Sequence, residues 1–205
     1  MPPSATSFRH LPRQQREQGG KLMQATRKAK NAVNGVAFRP LQDADLPVLT
    51  AWLAEPHVRR FYQKQPVTLA DVAREYGPTI RGEEPSRSHL AIRNGAPFAY
   101  LQSYRNVDYP EWCAIIGVRD GISVDLFIGD PACLRRGLGQ AALGTYLRQV
   151  AFPAYPRETR AYIGHELINT AALKCSQAVG FRPLRRFMED GLEMMLLTFD
   201  KPPAR

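Results

Sequence analysis

The segment that most constrains the fold is Val124-Asp125-Leu126-Phe127-Ile128-Gly129, an apolar, strand-like run that stops at a glycine. A polar loop follows. Leu134-Arg135-Arg136-Gly137-Leu138-Gly139-Gln140 then opens an apolar helical pattern through Ala141-Ala142-Leu143. Glycines at a helix start let backbone N–H groups approach a ligand closely, and the positive end of the helix favours an anion. The two arginines add charge of the right sign. A strand–loop–helix unit of this kind predicts a pyrophosphate cradle and, with it, a cofactor-dependent enzyme. Gly-x-Gly alone marks many ordinary turns, so the weight rests on the whole unit. No Gly-Lys-Ser/Thr follows the loop, which excludes a Walker phosphate loop. Ala142 and the lack of an acidic residue ending a second strand leave the dinucleotide fingerprint incomplete.

Charge distribution argues against a nucleic-acid binder. The chain of 205 residues carries a formal net charge of +9. Residues 1–39 hold Arg9, Arg13, Arg16, Lys21, Arg27, Lys28, Lys30 and Arg39 against Glu17 alone, a net +7 that leaves +2 for the rest. The basicity therefore belongs mainly to the N-terminal segment, and the Gln, Arg, Gly and Ser content of residues 1–35 predicts a disordered extension or frayed helix. Residues 36–203 are expected to form one domain. No apolar run has the length of a membrane span, and the extension lacks the apolar core of a secretory signal. Cys113, Cys133 and Cys175 are odd in number and lack metal-ligand spacing, which predicts a cytoplasmic protein with neither zinc nor a disulfide framework.

Periodicity gives the order β-α-α-β-β-β-α-β-α-β-β. Strands are expected at 36–41, 88–93, 97–104, 122–128, 159–163, 181–187 and 193–199. Helices are expected over 46–53, ended by Pro56, then from Thr68 to Tyr76, over about 137–150 and over 169–179, with Gly180 as the C-cap. Asn94-Gly95 and Asp190-Gly191 are hairpin turns. Residues 105–120 read as a long loop. The fold class is α/β (α+β), a mixed and mostly antiparallel sheet flanked by helices.

Two motifs in this frame resemble the GNAT superfamily of acetyl-CoA-dependent N-acetyltransferases. One is Leu134-Arg135-Arg136-Gly137-Leu138-Gly139, where Leu134 replaces the usual Gln or Arg. The other is Asn169-Thr170-Ala171-Ala172, running to Gly180-Phe181. Within the superfamily the chain is similar to aminoglycoside 6′-N-acetyltransferases. Thr68-Leu-Ala-Asp-Val72 with Tyr76, Asn94-Gly-x-Pro97, Tyr100-Leu-Gln102-Ser103-Tyr104 and Gly121-Ile-x-x-Asp125-x-Phe-Ile128 carry that likeness. Siderophore-type N-hydroxylysine acyltransferases, which typically have His where this chain has Asp125, and protein or peptide N-acetyltransferases are the alternatives. Two departures stand out. Ser176 occupies a position where the family often has Tyr, and Gly164-His165-Glu166 replaces the Asp-Pro of the resistance enzymes.

The resemblance implies a direct transfer from acetyl-CoA to a cationic small-molecule amine in a ternary complex, with no metal, by a monomer or homodimer. Leu126, Phe127 and Ile128 would pair with the pantetheine arm, Leu134 to Gln140 would hold the pyrophosphate, and Asn169 and Ala172 would line the arm. Strand alternation sends Asp125 into the acceptor half of the cleft, where a carboxylate can hold an ammonium and take its proton. His165 is a reserve acid or base, and Ser176 a candidate acid. Phe61, Tyr62, Tyr76, Gln102 and Trp112 are candidate acceptor contacts. Asp108, Glu111, Asp120 and Asp190 could complete an acidic cleft, although each alone suits a solvated loop. His10, His57 and His89 carry bland readings, and Cys133 has no adjacent base to activate it.

Overall fold

The computed structural model describes residues 35–203. The expected extension at 1–35 lies, but for Gly35, outside the described residues. Seven strands form one sheet in the order β1-β2-β3-β4-β5-β7-β6: β1 (Val36–Pro40), β2 (Arg87–Arg93), β3 (Ala96–Arg105), β4 (Ile122–Ile128), β5 (Arg160–Glu166), β6 (Arg182–Glu189) and β7 (Leu192–Asp200). Every neighbouring pair is antiparallel except β4 with β5. The two tight hairpins form where expected. Asn94 and Gly95 have φ of 51° and 80°, and Asp190 and Gly191 have 48° and 77°, the left-handed pairs that such turns require.

Alternation divides the sheet into two apolar faces. One carries Ala91, Leu101, Val124, Ile163 and Leu197 under α5 (Leu138–Tyr146), a π-helical turn at Leu147–Ala151, α6 (Phe152–Ala154) and α7 (Thr170–Val179). The opposite face carries Leu90, Tyr100 and Phe127 under α1 (Leu46–Ala54), α2 (Pro56–Arg59) and α3 (Leu69–Ile80). Further along that face, Tyr104, Tyr162, Phe187 and Leu196 pack under α4 (Pro110–Ile116). The gap between these two clusters positions the site.

Local sequence explains the helix starts. Thr68 caps α3 reciprocally: its Oγ1 accepts from the Asp71 N–H at 3.2 Å, and Asp71 Oδ2 accepts from the Thr68 N–H at 2.9 Å. The Asp71 carboxyl is held down at about 2, first by its hydrogen bond with the Thr68 side chain. Two expectations need correction. Pro56 does not end α1, which stops at Ala54; it opens α2, where a missing N–H costs nothing. The supposed loop at 105–120 contains α4, with Pro110 at its first turn and Gly117 (φ 69°) as its left-handed C-cap.

Candidate active site

The strands β4 and β5 pair at only two positions, Ile122 with Ala161 and Ser123 with Tyr162. Beyond them the two strands part. β4 follows β3 as far as Ile128, and β5 follows β7 as far as Glu166. The Gly129 N–H donates to Phe98 O at 2.8 Å, which makes Ile128 opposite Ala99 a non-hydrogen-bonded pair. Alternation then turns the C=O of Val124 and the N–H and C=O groups of Leu126 and Ile128 away from β3 and into the opening, the Val124 N–H being used in the last β4–β5 bridge. An extended amide-bearing chain can add there as a strand would. Leu126 and Ile128 send their side chains to the α5 face, while Phe127 stacks on Tyr100 at 5.3 Å on the other face.

At the end of this lip lies the cradle. Arg135 (φ 57°) and Gly137 (φ 72°) are left-handed, and Gly137 is the N-cap of α5 with no capping side chain. A Cβ on Gly137 would project into open space. Arg135 and Arg136 are exposed, and neither enters an ion pair among the described residues. Uncapped N–H groups beside two free guanidiniums fit a pyrophosphate. Gly139 has a different reason to be glycine, since its Cβ would come within 3.1 Å of Cys175 Sγ where α5 packs on α7. Leu138 is buried in the core and Gln140 is exposed; Leu134 and Cys133 are half-buried, with Cys133 Sγ 3.5 Å from Asp130 Oδ2. Asn169 caps α7, its Oδ1 accepting from the Ala172 N–H at 3.2 Å.

On the acceptor face, Ser88, Gln102 and Asp125 stand side by side on β2, β3 and β4. Tyr100 links the first two: its hydroxyl lies 2.7 Å from Ser88 Oγ and donates to Gln102 Oε1 at 2.9 Å. Asp125 Oδ2 is buried with no hydrogen-bond partner among the described residues. Burial, reinforced by the nearby Glu189 carboxylate, pushes the Asp125 carboxyl up to about 7. Other acids share this environment. Burial and then Glu84 raise Glu75 to about 7, burial raises Glu84, and burial with Asp190 and Glu166 nearby raises Glu189.

Several candidates take other roles. Trp112 is only 4% exposed and donates its indole N–H to Ser123 Oγ at 3.0 Å, so it lies beneath the acceptor face. Asp108 is paired with Arg105 at 2.7 Å, and Asp120 accepts from the Tyr162 hydroxyl at 2.9 Å. Glu111 is exposed on α4, and Asp190 is exposed in its hairpin turn. Tyr76 is buried against Tyr100, Tyr62 packs on Phe127 at 4.6 Å, and the Arg60 guanidinium covers Phe61. His165 points to the α7 face, with Nε2 at 2.8 Å from Ser176 Oγ. Burial lowers the imidazole to about 3, and Ser176 is 1% exposed. That geometry gives a neutral pair tying α7 to β5 rather than the expected acid or base.

Sequence reasoning missed His57. Its Nε2 lies 2.8 Å from Ile128 O, so it donates to the last carbonyl of the open lip. It also missed Glu75, Glu84, Glu166 and Glu189. Among the described residues no group of three or more His, Cys, Asp and Glu could hold a metal, and no helix is long and apolar enough to cross a membrane.

A sheet opened between its two parallel strands, with an uncapped helix start at the end of one lip and a buried acid on that same lip, suits acyl transfer. The Acetyltransferase (GNAT) domain family matches residues 42–188, and the chain belongs to that family. It is 27% identical to aminoglycoside N(6′)-acetyltransferase type 1 of Klebsiella pneumoniae over 154 residues, 74% of this chain and 76% of the relative. The structure of AAC(6′)-Ib in complex with ribostamycin and coenzyme A has a TM-score of 0.68 at 22% identity, covering 82% of this chain and 94% of that one. The spermidine N-acetyltransferase of Vibrio cholerae, in complex with CoA and spermine, reaches 0.64 at 11% identity over 82% and 96%.

Proposed function

We propose that this protein acetylates a primary amine of an aminoglycoside-like polycation, using acetyl-CoA in a ternary complex. The observation that carries the reading is the buried Asp125 carboxylate on the lip of the parted sheet, whose Oδ2 has no hydrogen-bond partner among the described residues. A carboxylate left without a cation in a water-poor site is costly, and an arriving ammonium offsets that cost. The 27% identity to an aminoglycoside acetyltransferase supports the same acceptor class.

Acetyl-CoA supplies the activated acyl group. The lip at Val124, Leu126 and Ile128 holds the pantetheine arm through backbone hydrogen bonds, and residues 134–140 hold the pyrophosphate. Asp125 binds the acceptor ammonium and accepts the proton it must lose before its lone pair attacks the thioester carbonyl; the C–N bond forms as the C–S bond breaks, and coenzyme A leaves as its thiol with the nitrogen's second proton. The Tyr100 hydroxyl occupies Gln102 Oε1, which leaves the Gln102 amide N–H groups to donate to an acceptor hydroxyl. A thiol-release assay over aminoglycosides, spermidine, N6-hydroxylysine and peptide amines tests the reading. Turnover confined to peptides or to hydroxylysine overturns it.

The cradle is tested separately. Replacing both Arg135 and Arg136 by Glu should weaken CoA binding about tenfold or more at low salt, with the loss shrinking as salt rises. Both side chains are exposed, so folding is spared. Calorimetry on the double variant gives the answer, and an unchanged affinity removes the cradle assignment.

A further inference from the structure

Glu166 is 6% exposed at the end of β5, and its Oε1 has one described partner, the Lys64 ammonium at 2.7 Å. Lys64 itself is 37% exposed. Alternation along β5 places Tyr162, Gly164 and Glu166 on one face, with His165 on the other against Ser176. That is the face of Asp125. The two acids therefore stand on opposite lips of the opening: Asp125 two residues beyond the last β4–β5 pair, Glu166 four residues beyond it. Level with Asp125 on the β5 lip is Gly164, which puts no side chain into the space. Lys64 belongs to the connection between α2 and α3. This segment is anchored on the β4 lip by Tyr62 on Phe127 and then reaches across, so that the Lys64 ammonium lands on the β5 lip.

We propose that Glu166 is a subsite for a second ammonium of the acceptor, filled in the free protein by the Lys64 side chain as a displaceable stand-in. The inference rests on the acetyl-transfer reading and specifies it: the acceptor carries at least two cationic groups, one at Asp125 and one across the opening. The Lys64 contact shows that an ammonium comes within 2.7 Å of the buried carboxylate, as an ion pair that does not meet hydrogen-bond geometry and so leaves Oε1 open to a better-placed donor. Exchanging one ammonium for another at the same oxygen conserves the interaction. It also releases a side chain that is more than a third exposed and free to move into water. A tethered cation competes as a local concentration of roughly millimolar order, so it sets a threshold that monovalent amines do not cross. Gly164-His165-Glu166 stands where the resembling resistance enzymes tend to carry Asp-Pro, so the subsite distinguishes this chain from them.

The test compares kanamycin, with several ammonium groups, and 6-amino-6-deoxyglucose, with one. Lys64→Met should lower the KM for kanamycin relative to the monoamine about threefold, because the competitor is gone. Glu166→Gln should raise that ratio about tenfold, because a charge-assisted contact is lost. Kanamycin should also raise the melting temperature of Lys64→Met more than that of the wild type, a readout independent of turnover. If Lys64→Met raises KM for both acceptors alike, or if Glu166→Gln leaves the ratio where it was, the pair is a structural strap and the subsite is wrong. If the wild type acetylates no amine, the functional reading fails. The kanamycin-dependent melting shift then still decides on Glu166, as its loss in Glu166→Gln supports the subsite and its persistence overturns it.

Discussion

Asp125→Asn should reduce kcat/KM for the cationic acceptor by about 10²-fold or more, the range expected when a general base is removed. Asparagine keeps the size but neither attracts an ammonium nor takes its proton. The pH profile is the sharper part. Burial holds the wild-type carboxyl at about 7 rather than its ordinary 3.8, so the free enzyme gains its base as pH rises through that value. Wild-type kcat/KM should climb to a plateau above about 7. The inflection in kcat should lie lower, because a bound ammonium favours the ionised carboxylate. Asp125→Asn should lose the first inflection while binding CoA as before. Stability moves the opposite way. A group whose folded pKa is raised favours the native state at low pH, and that contribution is lost as pH climbs from 3.8 to about 7. Removing the acid should therefore raise the melting temperature at pH 8 by about 3 °C or more, with little change at pH 3.5. A variant with wild-type rate across pH 6–9 would make Asp125 structural.

Gly129→Ala should cost about 3 kcal/mol or more in unfolding free energy, and about 10 °C in melting temperature. The backbone at Gly129 is not left-handed, so the cost is purely steric. A Cβ there would lie 1.9 Å from Trp52 Cδ2 and 2.3 Å from Cγ and Cε3. Trp52 is buried on α1, so its ring can move only by displacing its packed neighbours. Urea unfolding followed by circular dichroism measures the loss. Trp52→Leu removes the obstructing ring at a cavity cost of its own, so the double variant should be more stable than the two single losses predict, by about 1 kcal/mol or more. A loss below about 1 kcal/mol in Gly129→Ala would mean that α1 shifts freely over the β4 end, and that Trp52 does not hold Gly129 closely.

The strand–loop–helix unit at 124–143 was legible because its signals are local: an apolar run, glycines and arginines at a helix start. Both hairpins were legible for the same reason, since Asn94-Gly95 and Asp190-Gly191 demand a left-handed turn wherever they occur. Helix α4 escaped because seven residues are too few to display a helical period, although Pro110 and Gly117 mark its ends. The acidic cleft was the larger miss. Asp108 and Asp120 stood out as loop acids, but they are used by Arg105 and by Tyr162 with Arg160. Glu166 and Glu189 sit inside strands and read as ordinary surface positions. Only the parting of β4 from β5, which depends on tertiary packing, turns them toward a shared space. His57 is invisible in the same way, since its partner carbonyl lies 71 positions away.

The parted sheet has a thermodynamic consequence beyond catalysis. Leu126 and Ile128 turn backbone groups toward an edge that no strand among the described residues completes, so part of the sheet's hydrogen-bond ladder is left for a ligand to fill. Under the proposed cofactor placement, the pantetheine arm serves as that missing strand. Folding and cofactor binding are then linked by mass action: a ligand present at 100 times its dissociation constant adds about 2.7 kcal/mol to the native state. The melting temperature of this protein becomes a function of its acetyl-CoA supply. The open lip, exposed when that supply falls, is the place where amide hydrogens exchange first and where an unrelated strand could pair.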